Sequence, residues 1–137
     1  MPYLLDTNII SRVANRDASE HVLVLTAVKH LLVRGEQLCL VPQCLYEFWS
    51  ATTRPVSVNG LGWGAAQVRL EVDALLETYE FFPDTNAVFE DWLNLVTNHG
   101  VSGKPAHDAR LVGAMRAHGL EYLLTLNSAD FKRYTNI

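Results

Sequence analysis

Three acidic side chains stand where a carboxylate does not belong on an ordinary solvated surface. Asp6 follows an apolar run directly in "YLLDTNIIS". Glu47, in "PQCLYEFWSATTR", has Cys44 and Ala51 as helical neighbours three before and four after it, so it is expected to project from an apolar or small-residue stripe. Asp108, in "PAHDARLVGAMRAHG", shares a helical face with Leu111, Val112 and Met115. Carboxylates are costly to bury alone, and a cluster of them repels and raises its own pKa values unless cations intervene. A divalent cation held by these oxygens resolves that conflict. Each residue also has a purely structural reading. Asp6 with Thr7 and Asn8 makes a helix cap, Glu47 can pair with Arg54, and Asp108 can stabilise a helix terminus.

Which elements bring the three together decides between these readings. Short apolar runs at "PYLLD", "QLCLVP", "YEFFP" and "EYLLTLN" predict strands, with the tail "YTNI" as a further edge strand. Helical patterns lie between them. One runs over "SEHVLVLTAVKHLLVRGE", from a Ser19 cap to Gly35. Others cover "PQCLYEFWSATTR", "GWGAAQVRLEVDALLETY" and "DTNAVFEDWLNLVTNHG". The last, "PAHDARLVGAMRAHG", has Pro105 at its start and Gly119 at its end. This alternation predicts parallel βαβ units, a sheet of four or five strands with helices on both faces. In such a fold Asp6, Glu47 and Asp108 converge at the carboxyl edge of the sheet, where open α/β folds carry their sites.

A chain of 137 residues is expected to form one domain, residues 1–137. The net charge of -4 argues against gripping nucleic acid through an overall positive field, but leaves room for carboxylates that act through cations. Cys39 and Cys44 have no zinc-site spacing and read as small buried hydrophobes in a reducing compartment. No basic stretch followed by an apolar one opens the chain, and no apolar run approaches the ~20 residues of a membrane span, so a cytoplasmic protein is expected. The glycines of "RPVSVNGLGWG" lack the following Gly-Lys-Ser/Thr of a phosphate loop and read as a flexible connection.

The ordered set Asp-Thr-Asn after the first strand, Glu47 in the helix after the second, "HDARLVGAM" opening a late helix and "LLTLNSADF" after the last main strand resembles the PIN domain, in particular the VapC-like toxins of toxin-antitoxin pairs. The resemblance covers essentially the whole chain. It implies a three-layer α/β/α sandwich that binds Mg²⁺ or Mn²⁺ through clustered acids and cuts RNA. Asp6, Glu47 and Asp108 match the family's first three acidic positions. At the fourth, often Asp in the family, this chain has Asn127, with Asp130 three residues on. The catalytic set is therefore Asp6, Glu47, Asp108 and Asn127, and the metal set Asp6, Glu47, Asp108 and Asp130. Which of Asn127 and Asp130 fills the fourth position stays open.

Phosphodiester hydrolysis needs an attacking water, charge neutralisation at the phosphate and in-line geometry, and one or two divalent ions supply all three. Oxygen-only ligands suit Mg²⁺ or Mn²⁺. Thr7, Thr125 and Asn127 are candidates to orient the carboxylates or the phosphate. Lys104, His107, Arg12, Arg54 and Arg110 are candidate phosphate contacts, and Trp49 and Trp63 either stack on bases or pack in the core.

Rival α/β modules fit less well. A haloacid-dehalogenase-like phosphatase needs D-x-D, and the third position here is Asn8; a receiver domain wants paired acids near its first strand. A PIN-fold module that binds RNA or protein with weak or no catalysis is the alternative, since Asn127 dilutes the acidic cluster. The resemblance further implies a small protein antitoxin and, in many relatives, a homodimer, for which the apolar helix from Ser19 to Arg34 is a candidate interface.

Overall fold

The computed structural model describes residues 1–137. Four short strands, β1 (Pro2–Leu5), β2 (Gln37–Leu40), β3 (Glu80–Phe81) and β4 (Tyr122–Leu124), form one parallel sheet in the order β3-β2-β1-β4. Six helices flank it: α1 (Thr7–Ala14), α2 (His21–Val33), α3 (Pro42–Thr53), α4 (Ala65–Thr78), α5 (Asn86–Asn98) and α6 (Pro105–Ala117). This is the expected α/β sandwich with a four-stranded sheet. "YTNI" does not join it; Tyr134 instead packs into the core and its ring meets His99 edge-on at 5.1 Å.

β1 lies between β2 and β4, with Leu4 paired to both Cys39 and Leu123. Its Leu4 and Leu5 are fully buried, as a strand covered on both sides requires. From β1 the chain builds outward through β2 to β3, then crosses back to lay β4 on the other side of β1. That reversal makes a switch point beside the carboxyl ends of β1 and β4, where neighbouring crossovers part and leave a crevice.

The helices form two contacting groups. α1 packs on α2 and α3, with α4 against α3, while α5 and α6 pack extensively on each other. Gly113 permits that second contact: a Cβ there would lie 3.0 Å from the Trp92 backbone nitrogen and 3.1 Å from its Cα. The cap of α2 falls one residue later than expected. Glu20 is the N-cap, without a side-chain bond to the helix, and the Ser19 hydroxyl donates to the Glu20 carboxylate at 3.3 Å. α2 buries Val24, Val28 and Leu31 and leaves Val22, Leu23, Leu32 and Val33 exposed, Val33 by 88%. No helix is long and apolar enough to cross a membrane.

Candidate active site

Asp6 is the residue on which β1 ends and α1 begins. Its amide donates to the Leu124 carbonyl of β4 (3.0 Å), which continues the ladder, while its side chain already caps α1 by accepting from the Thr7 amide at 2.7 Å. The second carboxylate oxygen accepts from the Thr125 hydroxyl at 2.8 Å. The Thr125 oxygen in turn accepts the Asn127 amide at 3.0 Å. Asn8 braces the same corner, with its Nδ2 within 3.4 Å of Asp6 Oδ2 and 3.3 Å of Thr125 Oγ1 and its Oδ1 accepting the Leu126 amide at 3.2 Å. The Asp6 carboxylate is thus fixed from α1 and from the segment after β4.

Asp108 enters in the first turn of α6, half-buried. α6 is tied to α3 at this end by Gln43, whose Nε2 donates to the His107 carbonyl at 2.8 Å. Burial raises the Asp108 pKa first, then the charges of Asp130, Asp6 and Glu47 add to the rise, partly offset by His107. Burial also raises Asp6; its bonds from Thr125 and Thr7 pull down, and Asp130 pushes up. These mutual effects put Asp6, Glu47, Asp108 and Asp130 in one electrostatic neighbourhood.

Glu47 departs from the expectation of a buried stripe: it is exposed. α3 turns Cys44, Phe48 and Thr52 inward, a row at spacing four, and Glu47 lies about 100° off that row beside Phe48. Cys44 anchors the row by donating its thiol to the Leu5 carbonyl at 3.2 Å. Glu47 forms no ion pair with Arg54. Both instead line one open groove of about 610 Å³ with Thr7, Lys104 and His107. Lys104 is the exposed N-cap of α6.

Asn127 is exposed and begins the short 3-10 turn Ser128–Phe131 that carries Asp130. The recorded bonds of Asn127 are through its backbone, to Thr125 Oγ1 and from the Asp130 amide. Two candidate phosphate contacts are engaged elsewhere: Arg12 pairs with Glu20 at 3.4 Å, and Arg110 with Asp84 at 3.2 Å. Trp49 is exposed beside Leu45, Tyr46 and Val72, and Trp63 packs partly against the core. The bracing by Asn8 and Gln43 escapes sequence reasoning. Asn8 reads only as a turn residue there; a buried polar residue in the first turn of α3 is the sole hint of Gln43.

The donor set suits a hard divalent cation. It is all oxygen, burial and neighbouring charge raise the Asp6 and Asp108 pKa values, and the Thr7 hydroxyl, buried on the groove wall beside Glu47, has no hydrogen-bond partner of its own. No three or more His, Cys, Asp or Glu side chains stand close enough together to hold a metal ion as they are placed.

A four-stranded parallel sheet with order β3-β2-β1-β4, with Asp6 and Asp108 beside its switch point, defines an α/β domain of the PIN-like class. The PIN domain family model matches residues 3–137, and the chain belongs to that family. Solved structures with the same fold include VapBC2 from Rickettsia felis bound to a promoter DNA fragment, at 19% identity and TM-score 0.70 over 100% of this chain and 96% of that one. VapC20 from Mycobacterium tuberculosis, a toxin that cleaves the sarcin-ricin loop, matches at 15% identity and TM-score 0.72 over 98% of each chain. A toxin-antitoxin complex from Klebsiella pneumoniae matches at 18% identity and TM-score 0.68, over 98% of this chain and 93% of that one. No curated protein matches the chain by sequence.

Proposed function

We propose that the protein is a Mg²⁺- or Mn²⁺-dependent endoribonuclease and the toxin of a toxin-antitoxin pair. The observation that carries this reading is that Glu47 lines one groove with Arg54 and Lys104, while Asp130, Asp6 and Glu47 lie near enough to Asp108 for their charges to add to the rise in its pKa. Anionic RNA needs both, cations at the scissile phosphate and positive side chains along the backbone.

Asp6, Asp108, Asp130 and Glu47 hold the cation, which when bound neutralises phosphate charge and makes water a better nucleophile. Thr125 and Thr7 fix the Asp6 carboxylate in place; Asn8 supports Thr125. Glu47, exposed at the groove, is positioned to take the proton of the attacking water. Asp130 supplies the fourth negative charge, since it acts on both Asp6 and Asp108, and Asn127 contributes through its backbone. Lys104 and Arg54 bind the phosphates on either side.

The partner is a small protein antitoxin, as in the toxin-antitoxin complexes of similar fold. A second copy of the chain packs on the exposed apolar residues of α2. The pair works in the cytoplasm, where the thiols of Cys39 and Cys44 stay reduced.

Cleavage of a mixed RNA pool, with Mn²⁺, with Mg²⁺ and with chelator, tests the reading directly. Metal-dependent cutting by the wild type that disappears in Asp108→Asn is the expected result. Folded, antitoxin-free protein that cuts under no condition would leave the alternative, a PIN-fold module that binds RNA or protein without hydrolysis, which Asn127 and the open ligand set favour.

A further inference from the structure

Between the first turns of α5 and α6 lies a cavity of about 420 Å³ that none of the carboxylates just described enters. Phe89 and Trp92 form one wall, with ring centroids 5.8 Å apart and planes at 38°. Trp92 is held rigidly: its indole Nε1 donates to the Ala106 carbonyl at 2.9 Å, and Gly113 seats α6 against its backbone. Phe89 is 60% exposed, an aromatic face turned to solvent with no covering element. Arg110 and Asp84, joined at 3.2 Å, line the same cavity and offer a fork of N–H donors beside a carboxylate acceptor.

The cavity adjoins a smaller one of about 240 Å³ that contains Glu47, and His107 and Arg110 line both. His107 further borders the groove of Arg54 and Lys104. A flat ligand that sits against Phe89 and Trp92 therefore shares His107 and Arg110 with the cavity that holds Glu47. Aromatic walls with a few polar groups at the rim take flat heteroaromatic rings, and stacking of this kind is a general device for holding unpaired bases.

We propose that this cavity is a nucleobase subsite, in which Phe89 and Trp92 stack on the base next to the scissile phosphate while Arg110 and Asp84 read its edge. The choice of substrate rests on the ribonuclease reading. A nucleobase fits the polar pair better than a purely apolar occupant does, because base edges carry both donors and acceptors and an ion pair buried under an apolar partner would lose its solvation without repayment.

The test is a titration of the full chain, in chelator, with each mononucleotide of RNA, following the Trp92 indole N–H signal by NMR. Trp49 and Trp63 serve as internal references. At least one mononucleotide is expected to shift the Trp92 signal and leave the other two in place. Phe89→Ala should weaken that binding about tenfold, and Phe89→Tyr should restore it. With Mn²⁺, wild-type cutting of a random RNA pool should show a base bias beside the cut that Phe89→Ala flattens. Mononucleotides that leave Trp92 unmoved, or bind Phe89→Ala as tightly as wild type, overturn the subsite. So does a Phe89→Ala variant whose mass in solution changes while its nucleotide binding does not, since the aromatic face would then be a protein interface. Wild-type protein that never cuts RNA sinks the ribonuclease reading alone; the titration in chelator still decides the subsite.

Discussion

Thr125 donates its hydroxyl to Asp6 Oδ2 at 2.8 Å, across 119 positions of sequence. The same oxygen accepts the Asn127 amide, so one hydroxyl locks the carboxylate at the end of β1 to the segment leaving β4. Thr125→Ala is expected to weaken divalent-metal affinity by about 10- to 100-fold, with Thr125→Ser recovering most of it. Calorimetric titration with Mn²⁺ measures this. Equal affinity in wild type and Thr125→Ala would show that the bond serves the fold alone.

Burial of Asp6 and Asp108, with neighbouring carboxylate charge adding to it, makes the metal-free protein pH-sensitive. The folded pKa values of Asp6 and Asp108 lie above the ordinary 3.8, so between that value and the folded pKa the unfolded chain holds fewer protons than the native one. Stability in chelator should therefore fall as pH rises through that window. Above it, Mn²⁺ at about a hundred times its Kd should restore about 2.7 kcal/mol. Asp108→Asn should flatten the pH dependence in chelator and shrink the metal effect. Melting curves with and without Mn²⁺ would refute the idea by showing no metal-induced shift in the wild type.

At the alkaline end the cysteines take over. Burial pushes Cys39 up to about 11 and Cys44 to about 12, with the charges of Asp6 and Glu47 adding to the effect at Cys44. An unfolded thiol ionises near 9.0, so above that pH the unfolded state sheds protons first and native stability declines, by up to about 1.4 kcal/mol per pH unit for each thiol. Urea unfolding across that range should show the decline, and Cys44→Ala should reduce its slope. Rapid alkylation of both thiols in the native protein near neutral pH would contradict the burial on which this rests.

The strands and the acidic positions were legible because they depend on short-range pattern. Leu4 and Leu5 in "PYLL" and Leu38, Cys39 and Leu40 in "QLCL" make continuous apolar, buried runs, as strands covered on both sides require, and Asp6 and Asp108 stand at element starts that capping and helical spacing reveal. Glu47 was misjudged because neighbours three and four residues away define a face only approximately; the buried row Cys44, Phe48 and Thr52 runs beside it. Nothing local announces that Asn8 reaches Thr125 and the Leu126 amide, since those partners meet it only after β4 is laid against β1. The tail failed as a strand because Tyr134 found burial against the core rather than along a sheet edge.

Gly113 is a position where shape outweighs chemistry. A methyl group there would press on the Trp92 backbone at 3.0 to 3.2 Å and force α5 and α6 apart. Gly113→Ala is expected to destabilise the protein by about 1–3 kcal/mol. Because α6 carries Asp108 and α5 carries Phe89, the variant should also lose activity at temperatures where it remains folded. Denaturant midpoints checked against wild type suffice, and an unchanged midpoint would mean the helices re-seat without penalty.

The order β3-β2-β1-β4 has a consequence for timing. Asp6 is made more than a hundred residues before its hydrogen-bond partner Thr125 and its charged neighbour Asp130. At about 5–20 residues per second, a nascent chain carries half of the acidic crevice for several seconds with nothing to complete it. The neighbourhood of Asp6 is therefore incomplete until β4 has emerged and closed against β1.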